Sequence, residues 1–109
     1  MKRLLILGLA LGVAFSVDAV AANAENGKAK AAQICAACHG PDGNKPSAPD
    51  QPILAGQHYD YLVRALTDYK IGRRNNPIMK GFAAQLSKQE IEDIAAWFAS
   101  QKSRLHDQR

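Results

Sequence analysis

With 109 residues and a formal charge of +4, the chain is long enough for one small domain and too short for two. Its 14 Lys and Arg are dispersed among 10 Asp and Glu, which excludes a nucleic-acid-binding stripe. The two Cys, Cys35 and Cys38, sit beside each other, so no disulfide can tie distant segments together.

Lys2 and Arg3 open the chain, and an apolar run from Leu4 to Phe15 follows. Ser16, Asp18 and the small-residue tract Ala19–Ala24 come next. A positive start, a short apolar middle and an A-x-A exit are the layout of a secretory signal peptide. The run is shorter than the roughly 20 apolar residues a spanning helix needs. Residues 1–24 are therefore expected to be a cleaved leader, with Ala22-Asn23-Ala24 directing a cut before Glu25. Ala19-Val20-Ala21 offers a second exit, before Ala22, and an uncleaved membrane anchor is the remaining alternative. Cleavage would leave a single domain over 25–109 in the periplasm.

The Ala- and Lys-rich segment from Asn26 to Ala37 predicts a first helix. Gly27 near its start disfavours helix, which points to a close approach by another helix there. Cys35-Ala36-Ala37-Cys38-His39 lies at its end. Cysteines at i and i+3 face one side of a helical turn, as attachment to the two vinyl groups on one porphyrin edge requires. His39 follows at once, placed to bind the iron from the proximal side. The motif predicts one covalently attached haem c, with Cys35 and Cys38 as thioethers and His39 as an axial iron ligand. The alternatives are a local disulfide, a thiol-exchange pair or a zinc site. No β-rich segment precedes Cys35 as a thioredoxin-like unit would need. Thiol chemistry leaves His39 unexplained, and zinc lacks a second ligand pair.

From Gly40 to Gly56, Pro41, Asp42-Gly43-Asn44, Pro46, Pro49 and Pro52 predict a loop. Gln57 to Ile71 is a second helix, with Tyr59, Leu62, Val63, Leu66 and Tyr69 as its apolar stripe and Gly72 as its cap. Arg73 to Phe82 is expected to be a second loop, turned by Asn75-Asn76-Pro77. Ser87-Lys88-Gln89-Glu90 is a capping box that starts the last helix. Ile91, Ile94, Ala95 and Phe98 line its inner face beside Trp97, and the polar tail from Ser103 to Arg109 is expected to fray. Strand-period alternation and internal repeats are absent from the sequence. The fold class is all-α: three or more helices, with long loops wrapped around one haem. The haem would supply the apolar centre that so short a chain lacks.

A proximal His leaves one axial position on the iron. Met79, the only Met after Met1, is the candidate to fill it, and core filler is the plain alternative. His58, at the start of the second helix, and His106, in the tail, are its rivals. A thioether raises the reduction potential and closes the iron to small molecules, which argues for a carrier and against an enzyme.

The C-A-A-C-H motif, Pro52-Ile53-Leu54-Ala55-Gly56-Gln57 and Asn75-x-Pro77-Ile78-Met79 together resemble class I cytochrome c, nearest the bacterial cytochrome c4 and c-553 group. The similarity runs from Gly27 to Gln101. The group's two-domain members carry two C-x-x-C-H motifs. With one, this chain is similar to a single-haem member or to one half of a two-haem protein.

The resemblance assigns Cys35 and Cys38 to the thioethers and His39 and Met79 to the iron. It further implies that the Pro52 carbonyl accepts the Nδ1 hydrogen of His39, and that Gly27 and Ala31 cross Ile94 and Trp97. The implied function is a periplasmic monohaem carrier of single electrons. Its expected partners are a quinol-oxidising complex, a dehydrogenase and a terminal oxidase, with only transient contact at membrane complexes. A haem subunit bound permanently to a dehydrogenase is the alternative, followed by a haem enzyme or gas sensor. Lys45, Lys70, Arg73, Arg74 and Lys80 would form a basic rim for acidic partners, neutralise the haem propionates, or simply be solvated.

Overall fold

The computed structural model describes residues 4–16 and 20–105. Asp18, His106 and the end of the tail therefore lie outside the described residues. The order of elements is α1 (Ala24–Ile34), α2 (Ala36–His39), α3 (Tyr59–Ile71), α4 (Pro77–Ala84) and α5 (Lys88–Ala99). No strand occurs among the described residues. The apolar run over 4–16 is not helical and adds nothing to the core, with Leu5 and Phe15 each almost fully exposed. No helix among the described residues is long and apolar enough to cross a membrane.

Where a single helix over Asn26–Ala37 was expected, two occur. α1 ends at Ile34, Cys35 (φ −105°) interrupts it, and one further turn carries Cys38 and His39. The helix also starts earlier than expected. Asn23 caps it, its side chain accepting from Asn26 N at 3.0 Å.

α1 crosses α5 closely. A Cβ on Gly27 would overlap the Asp93 carbonyl and lie 2.9 Å from Ile94 N, so only glycine fits. Ala31 is fully buried in the same contact. Trp97 packs against the edge of the core that contains Ala31. It is half-buried, its Nε1 donates to the Pro41 carbonyl at 3.3 Å, and Lys28 Nζ lies 5.3 Å from its ring centroid.

α5 begins on its capping box. Glu90 N donates to Ser87 Oγ at 3.1 Å, and Ser87 N donates to Glu90 Oε2 at 2.9 Å. Ile91, Ile94, Ala95 and Phe98 recur at i, i+3, i+4 and i+7 and are all buried against Ala31, Leu62 and Leu86. α3 adds Leu62 to this core, with Val63 and Leu66 packed beside it, while Tyr59 is exposed on the first turn. It starts at Tyr59 rather than Gln57 because His58 is extended, and it ends on Gly72 at φ +80°.

Arg73–Phe82 is not the loop the sequence suggested. Pro77–Ala84 is a helix, capped by Asn76, whose side chain accepts from Ile78 N and Met79 N at 3.1 Å each. Asn76-Pro77 is a cap followed by proline at the first helical position, where its missing N–H costs nothing. The tail does not fray up to Leu105, because Arg104 N donates to Asn44 Oδ1 at 2.8 Å and Asn44 Nδ2 donates to the Lys102 carbonyl at 2.9 Å.

Candidate functional site

A cavity of about 520 Å³ opens between the end of α1, the Gly40–Gly56 loop, α3, α4 and α5. Cys35, Cys38, His39 and Met79 all line it. Its remaining wall is mainly apolar, with Leu54, Leu62, Phe82, Ile94 and Phe98 prominent.

His39 is buried, with its Nδ1 2.9 Å from the Pro52 carbonyl oxygen. A carbonyl only accepts, so Nδ1 carries the hydrogen and Nε2 keeps the free lone pair. The loop is folded back to deliver that carbonyl. Ser47 N donates to the Cys38 carbonyl at 2.9 Å, and Lys45 N donates to the His39 carbonyl at 3.2 Å. Gln51 Oε1 then accepts from Ser47 N, Ser47 Oγ and Ala48 N at 2.8–3.0 Å, pinning the loop immediately before Pro52. Sequence reasoning passed over Gln51, because a glutamine that satisfies its own loop leaves no periodic mark.

Cys35 and Cys38 are both free thiols. Burial, and then the neighbouring Cys38, push the Cys35 thiol up to about 11. A thiol-exchange site needs the opposite shift, toward thiolate. No group of three or more His, Cys, Asp or Glu suited to a metal ion occurs among the described residues.

Met79 lies in the first turn of α4, half-buried, rather than in an irregular loop. His58 is exposed, precedes α3 and does not line the cavity. Of the five basic residues considered for a rim, Lys70 donates to the Leu86 carbonyl and Arg73 pairs with Asp68 at 3.5 Å. Arg74 lines the cavity, donating to the Tyr61 hydroxyl at 3.1 Å with its guanidinium carbon 4.9 Å from the Tyr69 ring centroid. Lys45 and Lys80 are exposed.

A half-buried thiol pair one turn apart, a buried imidazole with one nitrogen free and a thioether share one apolar-walled cavity. That donor set fits a haem. The family model for cytochrome c matches residues 24–102, and the chain belongs to that family. Its fold is that of class I cytochrome c, and its cofactor is covalently attached haem c with iron.

Within the family it is close to the cytochrome c4 group. Cytochrome c4 of Pseudomonas aeruginosa is 50% identical over 101 residues, covering 93% of this chain and 49% of that protein. The crystal structure of reduced recombinant cytochrome c4 from Pseudomonas stutzeri superposes with a TM-score of 0.70 at 46% identity, covering 76% of this chain and 47% of that one. A thiosulfate dehydrogenase electron acceptor of Stutzerimonas stutzeri is 42% identical over 72 residues, covering 66% of this chain and 33% of that protein. The chain thus spans about half the length, or less, of these relatives.

Proposed function

We propose that this chain is exported to the periplasm behind a cleaved leader. There it carries single electrons between a quinol-oxidising complex or dehydrogenase and a terminal acceptor. Cys35 and Cys38 hold the haem as thioethers, and His39 and Met79 are its two axial ligands. One observation carries the reading: Met79, on α4, lines the same cavity as the Cys35-Cys38-His39 turn. The relative named as an electron acceptor of thiosulfate dehydrogenase supports a dehydrogenase as donor.

When bound, the haem supplies one-electron chemistry by cycling its iron between ferric and ferrous. The chain's own residues tune that cycle. The Pro52 carbonyl holds the Nδ1 hydrogen of His39, fixing the ring and raising the basicity of Nε2. Met79 would offer its thioether to the iron, favouring the ferrous state and keeping small molecules off it. Leu54, Leu62, Ile94 and Phe98 exclude water from the ring.

The purified ferric protein should show the deep-red sulfur-to-iron charge-transfer band. Met79→Ala should abolish the band and let the ferrous form bind carbon monoxide. A wild type that binds carbon monoxide readily and lacks the band would overturn the carrier reading. Affinity purification from periplasm should recover the cytochrome free. A stoichiometric dehydrogenase complex would make it a subunit instead.

A further inference from the structure

Asn23, two residues before the expected start of the domain, is tied into the fold three times. Its backbone N donates to Asp93 Oδ1 at 2.7 Å, its side chain accepts from Asn26 N at 3.0 Å, and its carbonyl accepts from Gly27 N at 3.0 Å. Asp93 is only 5% exposed, and Gln89 Nε2, at 2.9 Å, is the other donor to its Oδ1 among the described residues. These bonds sit at the closest approach of α1 and α5, where Gly27 meets the Asp93 backbone. Upstream of Asn23 the attachment thins: the Ala21 carbonyl accepts from Gln89 Nε2 at 3.3 Å, and Ala21 and Ala22 are exposed.

We propose that the leader is removed at the Ala21–Ala22 bond, so that the exported protein begins at Ala22 and retains Asn23 as part of its folded domain. The proposal rests on the export reading above. A leader peptidase accepts small residues one and three positions before the cut, and the tract Ala19–Ala24 offers two such pairs, Ala19 with Ala21 and Ala22 with Ala24. Local sequence does not separate them, but the fold does. A cut before Glu25 would strip the cap from α1 and take one of two donors from a buried carboxylate. It would also leave an ammonium inside the first turn, at the positive end of the helix. A cut before Ala22 gives up only the 3.3 Å contact between Ala21 and Gln89. The hydrolysis consumes one water, leaving a carboxylate on Ala21 and an ammonium on Ala22.

The test is the intact mass of the haem-loaded protein purified from periplasm after expression of the full chain. A mature chain beginning at Ala22 is expected. One lighter by Ala22, Asn23 and Ala24 would overturn the inference and leave export standing, whereas an uncleaved chain would overturn both. Asn23→Ala gives a second reading. If Asn23 is retained, the mature variant differs from wild type in mass by that one substitution and melts about 5 °C lower. If the two mature proteins match in mass and melting temperature, Asn23 has been discarded and the inference fails.

Discussion

Arg74 carries its charge to the cavity wall, while Lys70 and Arg73 are engaged by protein acceptors. Tyr61 and Tyr69 hold its guanidinium in place without neutralising it. A cation near the haem stabilises the ferrous state, which carries one more electron, so its removal favours ferric iron. Arg74→Leu should therefore lower the reduction potential by about 20–60 mV, the upper figure corresponding to about 1.4 kcal/mol for one electron. A redox titration checks this, and an unchanged potential would show the charge to be fully screened. The Cys35, Cys38, His39 and Met79 candidates were legible as single residues. The partners that orient them were less so. Pro52 came only through a family resemblance and Gln51 not at all, because a loop hydrogen bond obeys no spacing rule.

Among the elements, α4 shows how local chemistry is misread. Asn75-Asn76-Pro77 has the composition of a turn, and the same three residues are a helix cap and its first position. The apolar stripe that would have revealed the helix is too short, with Pro77–Ala84 spanning 8 residues. The α1–α5 crossing was legible from Gly27, and it predicts that Gly27→Ala costs about 1–3 kcal/mol through overlap with the Asp93 carbonyl. Urea unfolding followed by circular dichroism measures this, and a wild-type midpoint would show that the helices can separate freely.

The capping box of α5 should respond to acid. The Ser87 backbone N–H, and then Lys30, hold the Glu90 carboxyl below its ordinary 4.5. The stabilisation from that charge is present above about pH 4.5 and lost as the pH falls through the lower folded value. Glu90→Gln keeps a neutral box. Wild type should thus melt above the variant at neutral pH, and the gap should close on acidification. A gap independent of pH between 3 and 7 would rule out the charge as its cause.

The whole molecule is built around the cavity. Among the described residues Phe98 and Ile94 are the largest fully buried side chains, a small core for a domain of this length. Haem burial is needed to complete it. The Cys35→Ala/Cys38→Ala double variant, purified without haem, should lose most of its helical circular dichroism and its cooperative melting transition. Retention of both would mean that the polypeptide packs without its cofactor.

The amino-acid sequence by itself determined the chemistry that works at short range. A thiol pair one turn apart with an adjacent imidazole and a capping box are each set by neighbours within four positions along the chain. The tertiary structure decided what joins residues far apart: Met79 and His39 in one cavity, Arg74 between Tyr61 and Tyr69, and Asn23 on Asp93, 70 positions away. Such pairs form only when packing of the apolar faces has brought the helices together. The bond from Asn23 to the buried Asp93 carboxylate is then required, because a buried polar group left unpaired costs about 1–3 kcal/mol.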